Sequence, residues 1–144
     1  MSQISARRIP KFFEMARKVS ECSDFHQHRL GAIIVYKGTK IAVGYNCTRT
    51  SPIQKEYNRF RKDYNVNDEA EHINSIHAEM MAIEKIKYLD IDFKRTAIFV
   101  YRATKDNHTA LARPCEACMK RIKEIGIKDI YYTVVDGWEH LHIN

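Results

Sequence analysis

The sequence has no long hydrophobic run and contains little glycine or proline. No stretch approaches the roughly 20 apolar residues that a membrane-spanning helix needs, so we expect no membrane segment. With 5 glycines and 3 prolines, the chain is neither collagen-like nor of low complexity. The N-terminus lacks both a long apolar run and a small-residue cleavage site, which predicts a cytoplasmic protein rather than a secreted one.

Length and charge indicate one globular domain with a basic surface. The 144 residues fit a single domain, residues 1–144, built around one core. The formal net charge of +6 suggests an anionic partner, such as a nucleotide phosphate or nucleic acid. A basic surface that only confers solubility would have the same charge, so charge alone does not decide between these alternatives.

The order of the predicted elements favours a three-layer α/β sandwich. Helices are predicted over about 10–20, over about 76–88, and from near Cys115 to a C-cap at Gly126. Strands are predicted as a hairpin over 30–46 that turns at Lys37-Gly38, and then over 96–102 and 127–135. The polar segment 51–74 is predicted to be a partly helical excursion between the hairpin and the next helix.

The segment "PCEAC" contains a pair of cysteines suited to a metal. Cys115 and Cys118 are three positions apart and therefore share one face of a helix that Pro114 can begin. The helix dipole lowers the pKa of thiols at such an N-terminus. Two thiolates with this spacing form half of a tetrahedral zinc site.

A third ligand is predicted in the segment "SIHAEMMAI". The sequence has no second Cys-x-x-Cys pair, whereas His77 stands at another predicted helix start. Three protein ligands leave one tetrahedral position open for water, as in a catalytic zinc site, where the pKa of that water falls towards about 7. In the first helical turn Glu79 can reach the same point as His77, and its carboxylate can take and deliver the proton of that water.

These two segments together resemble a known signature. His-x-Glu followed by Pro-Cys-x-x-Cys, here "HAE" at 77–79 and "PCEAC" at 114–118, resembles the zinc-dependent nucleobase and nucleotide deaminases. The segments "HRLGAIIVYKGTKIAVGYN", "IHAEMMAI" and "GIKDIYYT" resemble deoxycytidylate deaminases of a divergent, phage or bacterial type, and the likeness covers most of residues 8–134. The resemblance implies a cytidine deaminase-like fold with a mixed sheet of about five strands, helices on both faces, and hydrolytic deamination.

The resemblance also implies roles for individual residues. Glu79 would carry a proton to the ring nitrogen and then to the departing ammonia. The backbone N–H groups of Ala78 and Cys115 would hold the substrate, and the carbonyl of Pro114 or of the residue before it would receive the amino group. Asn46, in "GYN", matches an asparagine that lines the sugar pocket in this family.

Other substrate contacts are expected around the metal. Arg113 is the first candidate for a phosphate contact because a guanidinium pairs well with phosphate, and Arg102 and Lys105 are weaker candidates. Either Tyr131 or Tyr132, at the end of a strand, is expected to close over the base, and our choice is Tyr132. The loop "RATKDNHTALAR" is longer than in deoxycytidylate deaminases, and "GYNCTRTSP" replaces a glycine-rich segment, so the family's own phosphate contacts do not transfer to this chain.

Three functions stay open at this stage. The first choice is a homo-oligomeric deaminase of a free cytosine nucleotide, CMP or dCMP. The second is a deaminase of cytosine or adenine within a polynucleotide, since the basic and aromatic segment "KEYNRFRKDY" either binds single strands or forms an amphipathic helix with its aromatic rings packed inward. The third is a non-catalytic, zinc-stabilised interaction domain.

A second zinc site is a further alternative. It would use Cys22 and Cys47 with His26 and His28, whereas isolated cysteines are more often small buried hydrophobic residues.

Overall fold

Five strands form a mixed sheet at the centre of the computed structural model, which describes residues 4–25, 27–49, 51–61 and 75–144. The strands are β1 (His28–Tyr36), β2 (Thr39–Tyr45), β3 (Thr96–Thr104), β4 (Asp129–Val134) and β5 (Gly137–His142). Their order across the sheet is β2-β1-β3-β4-β5. β3 and β4 pair in parallel, and the other neighbours pair antiparallel. The expected mixed sheet of about five strands is therefore confirmed.

Four α-helices accompany the sheet in the described part of the chain. They are α1 (Ile9–Ser20), α2 (Pro52–Tyr57), α3 (Ala78–Ile86) and α4 (Glu116–Ile125), and short 3₁₀ turns occupy Asn58–Phe60 and Phe93–Arg95. The three predicted helices are confirmed as α1, α3 and α4. As predicted, α4 ends at Gly126, whose φ of 103° is the left-handed conformation that favours glycine. The excursion predicted over 51–74 is helical at α2, and its residues 62–74 lie outside the described residues.

Helices cover both faces of the sheet. Successive strand side chains point to opposite faces, so neighbours such as Ile33 and Ile34 belong to different cores. The core on the α1 face consists of Ile9, Phe12, Phe13, Ala16, Ile33, Val35, Ala97, Phe99 and Tyr131. On the other face, α3 and α4 contribute residues such as Ile83 and Ile122 to a second core. This arrangement confirms the predicted three-layer sandwich.

Gly44 on β2 determines how closely α3 lies on the sheet. A Cβ atom added at this glycine would stand 2.1 Å from the carbonyl oxygen of Ala78 and 2.7 Å from the nitrogen of Ala82. A side chain has no space there, so the first turn of α3 rests directly on the β2 backbone. The residues that begin α3 are thereby fixed beside the end of the β1–β2 hairpin.

The strand β5 is an element that the sequence did not predict individually. Most of its side chains are exposed, and its sequence, "GWEHLH", lacks the apolar run of a buried strand. It pairs antiparallel with β4, and two side-chain contacts add to this pairing, since His140 Nε2 and His142 Nδ1 each lie 2.8 Å from Asp129 Oδ1.

Among the residues that the structure describes, no helix has the length and apolar character needed to cross a bilayer.

Candidate metal centre

The three predicted ligands come together where α3 and α4 begin. His77 and Cys115 are the N-cap residues of these helices and have extended backbone conformations, so both chains turn into their helices at the same place. His77 Nδ1 lies 3.4 Å from the Sγ atoms of both Cys115 and Cys118. The three atoms all lie within 4.8 Å of one another. Zn–N bonds of about 2.0 Å and Zn–S bonds of about 2.3 Å fit ligand atoms spaced in this way.

The pKa values of the two thiols are shifted in opposite directions. The hydrogen bond with Cys118, together with the neighbouring His77, lowers the pKa of Cys115 to about 3 despite its burial. The same hydrogen bond and complete burial raise the pKa of Cys118 well above its usual range. Zinc binds thiolates, so a zinc ion held by these two sulfurs would take the place of the proton on Cys118.

Glu79 is buried beside the ligands. It lies in the first turn of α3, is only 3% exposed, and lines the same cavity as His77 and Cys115. Burial raises the pKa of its carboxyl to about 7, although His77 opposes the shift. A carboxyl group with this pKa can both take and release a proton near neutral pH.

A cavity of about 300 Å³ adjoins the metal ligands. This volume is at the lower end of the range of small-molecule sites. Its walls include the apolar side chains of Phe25, Leu30 and Leu111. Arg61, Arg102 and Arg113 also line the cavity, and Glu79 is the one acidic residue among its described lining residues. Three cationic side chains therefore face one carboxyl group in this lining, which favours the binding of an anion.

Asn46 lines the cavity, and its amide is bonded to β1. The side-chain oxygen of Asn46 accepts a hydrogen bond of 2.8 Å from the nitrogen of Leu30, and its Nδ2 donates one of 2.7 Å to the carbonyl oxygen of His28. These bonds hold the asparagine where β1 and β2 open towards the ligands, and its contact with a substrate stays a prediction.

The other predicted substrate residues divide into two groups. The described lining of the cavity includes Ala78 and Arg113, but not Pro114 or Tyr132. Tyr132 is buried on β4, where its hydroxyl donates a 2.9 Å hydrogen bond to Glu139 and accepts a 3.3 Å hydrogen bond from Arg113 Nη1. Tyr132 therefore contacts Arg113, which itself lines the cavity. Tyr131 packs on the opposite, α1 face of the sheet.

Two residues of the site had weak or no support in the sequence. Arg61 follows the 3₁₀ turn after α2, and only the folded chain brings it to the cavity. Gln54, on α2, is completely buried, and its Oε1 accepts a 2.9 Å hydrogen bond from the backbone nitrogen of His77. A glutamine that binds backbone leaves no recognisable spacing in a sequence. Arg102, a weaker candidate, does line the cavity.

The alternative second zinc site finds no support in the described part of the chain. Cys22 is exposed and Cys47 is partly buried. Among described residues, the group of three that can hold a metal is His77 with Cys115 and Cys118. His26, one of the proposed ligands, lies outside the described residues.

Comparison with protein families gives one match. The family model described as "Cytidine and deoxycytidylate deaminase zinc-binding region" matches residues 7–134, which include the three ligands and Glu79. The comparison with curated protein sequences gives no significant match.

Solved structures resemble the chain at low identity. The dCMP deaminase of cyanophage S-TIM5, in its apo form, is 23% identical over 91% of this chain and 86% of that chain, with a TM-score of 0.60. The cytidine deaminase of Burkholderia pseudomallei is 16% identical over 96% of this chain and 93% of that chain, also with a TM-score of 0.60. The cytidine deaminase of Mycobacterium leprae is 13% identical over 91% of both chains, with a TM-score of 0.52. At these identities the likeness shows the fold.

Proposed function

The chain belongs to the cytidine and deoxycytidylate deaminase zinc-binding family, and we propose that its substrate is a cytosine nucleotide, CMP or dCMP. Family membership and the His77, Cys115 and Cys118 triad make it a zinc-dependent deaminase. The proposed reaction consumes water and yields UMP or dUMP and ammonia. The observation that supports a nucleotide rather than a nucleoside is the set of three arginines that line the cavity beside the triad.

The chain's own residues supply the proton transfers of this reaction. Zinc held by the triad would lower the pKa of a water molecule in its open position towards about 7. Glu79 would take one proton from the attacking water and pass it to the ring nitrogen as the C–O bond forms. It would then carry the remaining hydroxyl proton to the amino group, which leaves as ammonia when the C–N bond breaks. Because burial raises the pKa of Glu79 to about 7, its carboxyl can accept and release a proton near neutral pH while it faces the cavity.

Two of the arginines are held in place by neighbouring groups. Arg113 Nη1 donates a 3.3 Å hydrogen bond to the hydroxyl of Tyr132. Arg102 Nη1 donates a 3.2 Å hydrogen bond to the carbonyl oxygen of Leu111, and its Nη2 lies 2.8 Å from His28 Nδ1. A guanidinium that is already ordered loses less side-chain entropy when it binds phosphate. These contacts support recognition of a phosphate near the metal.

A second candidate is a deaminase that acts within a polynucleotide. Phe60 is 43% exposed, with Arg59 at 5.9 Å and Lys120 at 5.3 Å from its ring centroid. An exposed ring between cations can stack on a base of a single strand. The same contacts are typical of surface cations that pack on a solvent-facing ring, and we therefore keep the free nucleotide as the first proposal. Membership of a deaminase family favours an enzyme over the third alternative, a non-catalytic interaction domain.

The first experiment measures ammonia release by the zinc-loaded protein. The substrates are cytidine, deoxycytidine, CMP, dCMP, dCTP and a cytosine-containing single strand, with Glu79→Ala as the blank for each. We expect turnover of CMP or dCMP to exceed that of the nucleosides and of the strand. Turnover of the strand with none of any mononucleotide would contradict the proposal and favour the second candidate.

A substitution at Arg113 tests the phosphate contact directly. Arg113→Met should raise the KM for dCMP about tenfold or more and leave the KM for deoxycytidine unchanged, because the loss of a charged hydrogen bond to the ligand costs roughly 1.5–3 kcal/mol. Arg95→Met is the matched control, since Arg95 is exposed and pairs with Asp92. An equal rise in KM for both substrates would mean that Arg113 maintains the shape of the cavity and does not contact the phosphate.

A further inference from the structure

The backbone of His77 is held from two sides before α3 begins. On one side, Ile76 forms a β-bridge with Cys47, with N–O distances of 3.0 and 3.2 Å. On the other side, the His77 N–H donates to Gln54 Oε1 at 2.9 Å. As an N-cap residue, His77 receives no intrahelical partner for this N–H. Gln54 thus satisfies a backbone group of a metal ligand.

The orientation of the Gln54 amide is fixed by its own contacts. Its Nε2 donates a 2.8 Å hydrogen bond to Asn58 Oδ1, and its backbone nitrogen donates to Ser51 Oγ at 3.2 Å. Ser51, Gln54 and Asn58 are all buried. Because a buried polar group without a partner is costly, this row of hydrogen bonds keeps Gln54 Oε1 directed at His77.

The same short helix also holds α4. Tyr57 packs against the core that contains Cys118 and Met80, and its hydroxyl donates a 2.6 Å hydrogen bond to Glu124 Oε1. Arg121 Nη1 donates to the Tyr57 hydroxyl at 3.4 Å. The other end of that guanidinium, Nη2, donates to Glu84 Oε2 on α3 at 2.9 Å. α2 is therefore connected to both helices that provide metal ligands.

We propose that Gln54 is a positioning residue of the metal centre: by binding the backbone of His77 it fixes the direction in which this ligand enters the site. The inference rests on the proposed function, because it concerns the same zinc site. Groups that orient a metal ligand without touching the metal commonly change metal affinity about 10- to 100-fold when they are removed. Gln54 acts in this way through the main chain of the ligand.

The test compares Gln54→Met with Glu56→Met, which introduces the same side chain at an exposed position of the same helix. Zinc affinity is measured by competition with a chromophoric chelator, and the absorption bands of the Co²⁺-substituted proteins report the geometry of the thiolate and imidazole ligands. We expect Gln54→Met to weaken zinc binding about tenfold and to shift the Co²⁺ bands. Glu56→Met should match the parent protein in both measurements.

A purely structural role would give a different result. In that case Gln54→Met would lower the unfolding temperature while its zinc affinity and Co²⁺ spectrum stayed equal to those of Glu56→Met, and the proposal would be wrong. If Gln54→Met does not fold, Gln54→Ser, which leaves room for water, is compared with Glu56→Ser by the same criterion. Zinc affinity is measured without turnover, so a protein that binds zinc normally but deaminates no cytosine compound overturns only the proposed function.

Discussion

His77 and Glu79 are two positions apart, and the start of α3 gives them different tasks. His77 precedes the helix in an extended conformation and directs its Nδ1 at the two thiols. Glu79 lies inside the first turn, is almost completely buried, and lines the cavity next to the ligands. A helix interior would direct these side chains apart, so the pair depends on the N-terminal position.

At the scale of single residues, Glu79→Gln should separate catalysis from metal binding. The amide keeps the shape of the carboxyl but does not transfer the proton, so we expect kcat to fall about 10²- to 10⁴-fold with zinc content unchanged. Ammonia release and elemental analysis of the purified protein measure the two quantities. Glu116→Gln, at an exposed position in the first turn of α4, is the control and should keep full activity. Loss of zinc in Glu79→Gln would show that Glu79 supports the metal site itself.

The sequence predicted the ligands because the necessary information is local. A Cys-x-x-Cys pair behind a proline and a His-x-Glu pair ahead of an apolar helix are both recognisable within a few residues. Arg61 and Gln54 have no such pattern, since each reaches the site through the path of the chain between β2 and α3. The hydroxyl of Tyr132 lies between Arg113 and Glu139, and its expected place over the base stays a prediction. The alternation of side chains along a strand predicts the face of the sheet on which a side chain lies, but not the residue to which it hydrogen-bonds.

At the scale of elements, the contact of α3 with β2 controls the position of His77. Gly44→Ala would place a methyl carbon 2.1 Å from the Ala78 carbonyl oxygen, so α3 must move away from the sheet. We expect a loss of roughly 1–3 kcal/mol in the free energy of unfolding, as for other overpacked sites, together with weaker zinc binding. Urea unfolding and chelator competition measure these effects.

Gly137→Ala is the matched control for that change. The nearest atom to an added Cβ there is Val134 Cγ2 at 3.8 Å, which is an ordinary contact. Its free energy of unfolding and zinc affinity should both stay near those of the parent protein. If Gly44→Ala behaved in the same way, the close approach of α3 would not be what positions the ligand.

Elements with strong apolar patterns were predicted well, and those without them were not. The apolar faces of α1, α3 and α4 and the hairpin with its turn at Lys37-Gly38 are visible in the sequence. Both turn residues have positive φ, 50° and 81°, as tight hairpin turns require. β5 has no apolar run because most of its side chains face solvent. Its pairing comes from the neighbouring strand and from the two histidines that bind Asp129.

At the scale of the whole molecule, the metal connects two parts of the chain that are distant in sequence. Removal of zinc by a chelator should lower the unfolding temperature by about 10 °C, because a ligand present at roughly 1,000 times its dissociation constant stabilises the native state by about 4 kcal/mol. Scanning calorimetry of the zinc-loaded and stripped proteins measures the shift. In Cys118→Ser the same treatment should have little effect, and an equal shift in that variant would mean that the stabilising zinc binds elsewhere.

The three-layer architecture could be predicted from the sequence, whereas the expected homo-oligomer stays a prediction. Alternating helices and strands, with a crossover through α4 between the parallel strands β3 and β4, favour a sandwich over other folds. The homo-oligomer expected from the resemblance depends on surfaces that no motif marks. Light scattering tests it against the monomer mass of 16.9 kDa.

The hydrogen bonds from Arg113 to Tyr132 and from Tyr132 to Glu139 have a consequence for evolution. They connect the cavity to β5, the outermost and most exposed strand, without passing through either helix that contributes a metal ligand. Substitutions on an exposed edge strand usually cost little stability. If Arg113 binds a phosphate as proposed, substitutions on β5 could alter that contact and give a new substrate preference while the zinc ligands are inherited unchanged.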